Sequence, residues 1–374
     1  MIGIYIHIPF CHHKCTYCDF HFSVNQKSLN KVLSALHKEI EERKNESTST
    51  IETIYFGGGT PSILSLNQLE AILNQIYQHY ALNKKIEMTI ECNPEDISIQ
   101  YLKDLQSLGF NRISLGIQSL NDGVLKWMGR HHTAEQSVKS IQSILQAGFE
   151  NFSIDFIFGI PFYPTHQLLS DLNNLLYFFP PHISAYQLTI EPKTKLNYLL
   201  RTKKFQPSSE EKIINEFLSI QEILEKNNYC HYEVSNYAKP GFISKHNSSY
   251  WLQKPYLGFG PSAHSYRNNE RRWNVANNYL YAKRVLNHEI YFEKETLNIQ
   301  QQFNEYILTR LRTVFGCNLD EIEKLFGQSF KKHFLNKYQL YKDYFNVNST
   351  NTDFSLKSNK GFLLVDTISR EFFV

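Results

Sequence analysis

The strongest constraint on this chain is a sixfold alternation that fills its first 230 or so residues. Short apolar runs with strand character lie at 2–8 (IGIYIHI), 51–56 (IETIYF), 86–91 (IEMTIE), 112–118 (RISLGIQ), 152–158 (FSIDFIF) and 183–189 (ISAYQLT). Between them, residues 29–44, 66–80, 98–110, 133–149 and 166–179 place apolar side chains at three- and four-residue spacings, the period of an amphipathic helix. A sixth such segment, 208–228, opens on Ser208 and Ser209 followed by Glu210 and Glu211, an N-cap signal. Strict strand–helix alternation predicts a parallel sheet with right-handed crossovers. A closed eight-unit barrel needs two more units, and the pattern stops near HYEVSNYA (231–238). The expected fold is therefore α/β, a partial (β/α)6 TIM-like barrel over 1–238.

The texture then changes. Residues 239–288 are rich in Gly, Pro, Asn and aromatics and read as a loop-rich connection carrying HNSSYW and GFGPSAHS. From 289 to 374 helical periods return (301–316, 319–327, 331–345), and GFLLVDTISREFFV (361–374) looks like a small terminal hairpin. That predicts a C-terminal α-helical, winged-helix-like domain, with the polar stretch 346–360 as a surface loop.

Composition excludes several classes. A 374-residue chain that is 42% hydrophobic buries a large core, and its net charge of +3 is too small to make nucleic acid or an acidic membrane the expected partner. LTRLRTVFG and KLFGQSFKKH supply some basic residues, but acidic LDEIEK lies between them. MIGIYIHIPFC is no basic leader, and no transmembrane segment of 18 apolar residues follows, so a cytoplasmic protein is expected. Of the six cysteines, Cys11, Cys15 and Cys18 are clustered while Cys92, Cys230 and Cys317 are dispersed. This fits a reduced compartment and a metal site better than disulfides.

In a parallel barrel the chemistry gathers at the C-terminal strand ends. The three cysteines follow strand one, GGGTPS follows strand two, Glu91 ends strand three, Gln118 ends strand four, Asp155 lies in strand five and Thr189 ends strand six. The CxxxCxxC thiolates suit zinc completed by His12 or His13, or three corners of an iron–sulfur cube with one iron open. No second ligand pair of the kind zinc sites use stands elsewhere in the sequence.

Cys11, Cys15 and Cys18 on the loop after the first strand resemble the signature of the radical S-adenosylmethionine (SAM) superfamily. YIHIPFC, YFGGGTPS, GIQSLND, LKWMGRHH and SIDFIFGIP, in that order, are similar to its HemN/HemW-like family over essentially the whole chain. The resemblance implies a 4Fe–4S cluster on the three cysteines, with the amine and carboxylate of SAM on the open iron. In the superfamily that cluster reduces SAM to methionine and a deoxyadenosyl radical. The resemblance further implies that Tyr5, Gly58, Gly59, Thr60, Glu91, Asp155 and Thr189 contact SAM. Gln118 and Arg130 match positions that hold a second SAM in the porphyrinogen-oxidising branch. Without the family, Glu91, Asp155 and Arg130 also read as an ion-pair network across the barrel mouth.

One departure selects a branch. The porphyrinogen-oxidising members read CxxxCxxCxC, whereas this chain has Phe20 at the last position. HNSSYW fits a motif proposed to handle heme in the other branch, the heme chaperones. It implies His246 as an axial ligand and Tyr250 and Trp251 as stacking partners. The residues alone equally suit a loop capped by His and Asn. Gly258, Gly260 and His264 resemble a segment that closes the barrel. The expected function is binding of heme and its transfer to an acceptor protein, whose identity the sequence does not carry. The other reading is oxygen-independent coproporphyrinogen III decarboxylation. Whether the chain is an enzyme that cleaves SAM is left open.

Overall fold

The computed structural model describes residues 2–374. Six parallel strands form its centre: β1 (Ile2–Ile8), β2 (Ile51–Gly58), β3 (Leu82–Cys92), β4 (Arg112–Gln118), β5 (Phe152–Phe158) and β6 (His182–Gln187). They are joined by α1 (Leu29–Glu42), α2 (Leu66–His79), α3 (Ile99–Ser107), the pair α4 (Asp122–Met128) and α5 (Ala134–Ala147), and α6 (Thr165–Leu176). After β6 come α7 (Lys195–Arg201) and α8 (Glu210–Lys226). The expected six-unit alternation is present, with every strand in sequence order.

Both faces of these strands are occupied, for different reasons. In β1, Ile2, Ile4, Ile6 and Ile8 join the hydrophobic core with Val32, Leu36 and Ile40 of α1. Gly3, Tyr5 and His7 alternate with them and point the other way. Pairing in register places Gly3 beside Thr53, Tyr55 beside Tyr5, Thr89 beside Tyr55, and Glu91 beside Ser114. The interior of the partial barrel is thus polar while its outer surface is aliphatic.

The sheet does not close. It has twelve strands, and beyond β6 two short antiparallel strands, β7 (Cys230–Glu233) and β8 (Asn236–Ala238), end it. Next come α9 (Lys245–Trp251), β9 (Tyr256–Phe259), β10 (His264–Arg267), β11 (Glu270–Asn274), α10 (Asn278–Leu286) and β12 (Phe292–Thr296). Strand β9 pairs in parallel with β1, and β10, β11 and β12 follow it antiparallel. LGFGPSAHS therefore extends the sheet outward from β1 instead of closing a barrel. The segment 239–288 is also more regular than a loop-rich connection. HNSSYW lies within helix α9, and β12, beyond the expected boundary at 289, belongs to the same sheet.

A buried carboxylate fastens this extension. Glu39 of α1 is fully buried and accepts from Arg43 Nη1 (2.8 Å), Asn274 Nδ2 (2.8 Å), the Gly260 N–H (2.8 Å) and the Tyr281 hydroxyl (2.6 Å). Arg43 also donates to the Gly258 carbonyl (2.6 Å) and Ser265 Oγ (3.1 Å).

The C-terminal part packs α11 (Ile299–Arg310), α12 (Leu319–Phe326) and α13 (Gln328–Tyr341) around a sheet of β13 (Cys317–Asn318), β15 (Asp353–Leu356) and β14 (Phe345–Val347). The wing is the β14–β15 hairpin, inside the stretch expected to be a surface loop. Phe345, Val347, Phe354 and Leu356 alternate with polar residues there. The terminal hairpin expected at 361–374 is instead helical: α14 (Lys360–Leu363) and α15 (Val365–Glu371). Val365, Ile368, Ser369 and Phe372 recur at helical spacing and are buried, so a 3.6 period prevails over the short apolar runs.

Glu39→Gln removes the buried carboxylate that gathers four donors and leaves Arg43 with only the partly exposed Glu46, which is expected to cost about 2–4 kcal/mol. Urea denaturation monitored by near-UV circular dichroism checks this; an unchanged midpoint would remove Glu39 from the role of fastener.

Candidate functional site

At the C-terminal ends of β1 to β6 a cavity of about 710 Å³ opens. Cys11, Cys15, Cys18, Gly58, Gly59, Thr60, Glu91, Gln118, Arg130, Asp155 and Thr189 all line it. Residues from six strands and their loops thus meet in one place, although they span nearly 180 positions of sequence. Thr189 sits two residues past the end of β6, not within the strand, and is exposed.

The glycine strip is held against the cysteine loop by backbone bonds. Gly59 N–H donates to the Ile8 carbonyl (2.8 Å) and Thr60 N–H to that of Phe10 (2.7 Å). A Cβ on Gly59 would lie 2.5 Å from the Phe10 oxygen, so only glycine permits this approach. Gly58 has φ +107° and lies directly over the His7 ring.

Around the strip runs a network of fixed polar groups. Glu91 accepts from the Tyr55 hydroxyl (2.8 Å) and Gly58 N–H (3.2 Å), yet burial raises its carboxyl to about 7. Burial likewise raises Asp155, which accepts from Ser114 Oγ (3.2 Å) while its Oδ1 is buried without a partner. Arg130 donates to Asn93 Oδ1 and to the Gly116 carbonyl (both 2.7 Å), and Asn93 Nδ2 reaches Thr60 Oγ1 (3.2 Å). The guanidinium also approaches Cys15 Sγ at 3.8 Å. Gln118 closes β4 in a left-handed conformation (φ 68°), unusual for a residue with a Cβ. Sequence reading missed Tyr55 and Asn93. Tyr55 is inward by the same period that places Tyr5, and Asn93 follows the end of β3, so both were accessible to the rule that found Glu91.

All six cysteines are free. Burial pushes the Cys11 thiol up to about 11 and Cys18 to about 12. His12 bonds Asp96 (3.2 Å) and His13 stacks on His131, and both line the same cavity as the three thiols. Among the described residues no group of three or more His, Cys, Asp or Glu converges tightly enough for a single metal ion. Cys11, Cys15 and Cys18 all line the one cavity. Cys92 is buried, and burial raises its thiol far above its usual range.

Two groups of expected ligands lie elsewhere. Tyr5 does not line this cavity. Its hydroxyl meets His7 Nδ1 (3.0 Å), and its ring faces a second cavity of about 640 Å³. His246 is only 1% exposed, with Nδ1 bonded to Thr53 Oγ1 and Nε2 to the Tyr250 hydroxyl (both 2.7 Å). Its ring stacks on Tyr55 at 5.0 Å, and a Cβ on Gly3 would approach it to 3.3 Å. Glu87 accepts the backbone N–H groups of Lys245 and His246 (3.1 and 3.0 Å), seating α9 across the base of the barrel. Both ring nitrogens are thus committed within the protein, and burial lowers the imidazole pKa to about 3. Tyr250 reaches the second cavity, whereas Trp251, half-buried, lines neither.

Residues 5–174 match the model of the radical SAM superfamily. The chain is 36% identical over 372 residues to the heme chaperone HemW of Lactococcus lactis subsp. lactis (strain IL1403), covering 97% of each. This chain belongs to the HemW family of radical SAM proteins. It is also 32% identical over 333 residues to the heme chaperone HemW of Bacillus subtilis (strain 168), covering 88% of each. Its fold matches that of coproporphyrinogen III oxidase (HemN) from Escherichia coli, a radical SAM enzyme, with a TM-score of 0.85 at 22% identity over 100% of this chain and 90% of the other. Membership of the superfamily implies a 4Fe–4S cluster and SAM. Among the described residues no helix is long and apolar enough to cross a membrane.

Glu91 has a pH signature. With its pKa raised from 4.5 to about 7, the folded chain holds a proton that the unfolded chain has released across that window. Stability therefore falls as pH rises from 4.5 to 7. Glu91→Gln is expected to flatten the fall by about 1–3 kcal/mol. Denaturation of the cluster-free chain at a series of pH values checks it; an unaltered slope would contradict the assignment.

Proposed function

We propose that this protein is a heme chaperone. It carries a 4Fe–4S cluster on Cys11, Cys15 and Cys18, holds SAM in the larger cavity, and hands heme to an acceptor protein that is not yet identified. The observation that carries the reading is Phe20 in CxxxCxxCxF, in a chain that aligns almost end to end with a protein named heme chaperone HemW. Phe20 is 66% exposed and lines both cavities, so an apolar ring stands where the porphyrinogen-oxidising branch keeps a thiol.

When bound, the cluster supplies an electron and an open iron that the amine and carboxylate of SAM can occupy. The chain's own residues do the positioning. The backbone of Gly58, Gly59 and Thr60 offers a surface on which the methionine part can lie. Glu91, held by Tyr55 and Gly58, is a fixed acceptor for an ammonium or hydroxyl, and a cation there would draw its proton off. The unpartnered Asp155 Oδ1 suits a ribose hydroxyl. Arg130, locked by Asn93 and Gly116, places a cation near the cluster thiolates and a carboxylate. Gln118 and Thr189 form the rim.

Anaerobic reconstitution with iron and sulfide, then heme titration and a coproporphyrinogen assay on one sample, tests the reading. Four irons per chain, heme binding and no decarboxylation are expected. Cys15→Ala should lose the cluster's visible absorption. Robust decarboxylation would replace the chaperone with a dehydrogenase, and stoichiometric zinc with no cluster would overturn both.

A further inference from the structure

The second cavity lies on the other side of the cysteine loop, between the inner face of β1 and the extension formed by β9–β11 and α11. Asp19 and Phe20 belong to both cavities, so the loop is the wall between them. One side of the second cavity is aromatic: Tyr5, Tyr250, Tyr256 and Tyr266 line it with Phe20. Tyr250 and Tyr256 meet edge to face with centroids 4.5 Å apart. Such rings offer flat apolar faces at little cost in side-chain entropy.

His264 stands on the same cavity. Its ring lies 6.3 Å from that of Trp273, nearly parallel at 27°, and among the described residues neither nitrogen has a hydrogen-bond partner. This is the opposite of His246, whose two nitrogens are both engaged. His264 is exposed to solvent, and partial desolvation together with the nearby Arg271 charge lowers its pKa, which favours the neutral ring that ligates metals. The remaining charges on the cavity are Lys254 and Arg271 against Asp19 and Glu305, with Arg271 ion-paired to Glu305 (2.6 Å) and Glu295 (2.9 Å). At about 640 Å³ the space falls in the range of small-molecule and cofactor sites.

We propose that heme binds in this second cavity, its macrocycle against the tyrosines and Phe20 and its iron on His264. The inference rests on the heme-chaperone reading and deepens it by moving the ligand from His246 to His264. HNSSYW then acts as a positioning element: His246 fixes the Tyr250 hydroxyl, and Tyr250 presents its ring to the cavity. Heme so placed lies against the loop that carries the cluster.

The test is heme titration of the reconstituted full chain, with resonance Raman of the iron–histidine stretch. His264→Ala is expected to raise Kd by about tenfold or more and to abolish that stretch, with added imidazole restoring it. Leu308→Trp, which fills the cavity without removing a polar group, should weaken heme binding similarly and leave the cluster's absorption intact. His246→Ala should retain the stretch. The placement is overturned if His264→Ala keeps both affinity and stretch, or if His246→Ala alone removes them; in those cases the chaperone reading survives. A wild-type chain that binds no heme overturns that reading and this placement together.

Discussion

The buried Glu39 carboxylate is the point on which the rest of the molecule turns. It sits on the helix that follows the cysteine loop and accepts hydrogen bonds from β9–β10, β11 and α10 at once. A carboxylate without water is costly, and four donors, one of them the Arg43 guanidinium, offset that cost only when all converge. That requirement fixes the sheet extension against α1. The extension supplies His264, Tyr266 and Arg271, so the second cavity exists because the carboxylate is satisfied. The first cavity depends on it less directly, through β1, which is paired on both edges.

Inside the partial barrel, polarity is arranged by strand alternation. Aliphatic residues facing the helices stabilise the sheet, which leaves the inward positions available for groups that stability alone would not select. Glu91 and Asp155 are raised by burial, and Arg130 is locked by three contacts. These groups are held in place before any ligand arrives, which is what electrostatic recognition of a charged small molecule requires. The base is shut by α9 and the mouth left open.

Much of this was legible in the sequence. The six strands, their order and the convergence of polar strand ends follow from period and spacing, because one face of each strand is uniformly apolar. The extension was not legible: β9, β10 and β11 are only 4, 4 and 5 residues long with mixed polar and aromatic content, and the strand that joins them to the barrel, β9, pairs with β1 far away in sequence, so no local period marks them. HNSSYW reads as a loop, since its helix is only 7 residues long and its N-terminus is held by Ser244 and by Glu87 on a strand 159 residues earlier. The terminal helices were mistaken for a hairpin because two short apolar runs hide the helical spacing from Val365 to Phe372. Tyr5 lines the second cavity, which shares the wall of the cysteine loop with the first. Asn93 was overlooked although it directly follows the strand that offers Glu91.

Strand β1 is made before both of its neighbours, and these arrive at very different times. β2 begins at residue 51, whereas β9 begins at residue 256. During synthesis the strand beside the cysteine loop therefore keeps one backbone edge unpaired until about two thirds of the chain has emerged. An exposed edge of alternating isoleucines is a template for unwanted pairing. The late arrival of β9 leaves the strand that feeds the cysteine loop paired on one edge only until the sheet extension has been made.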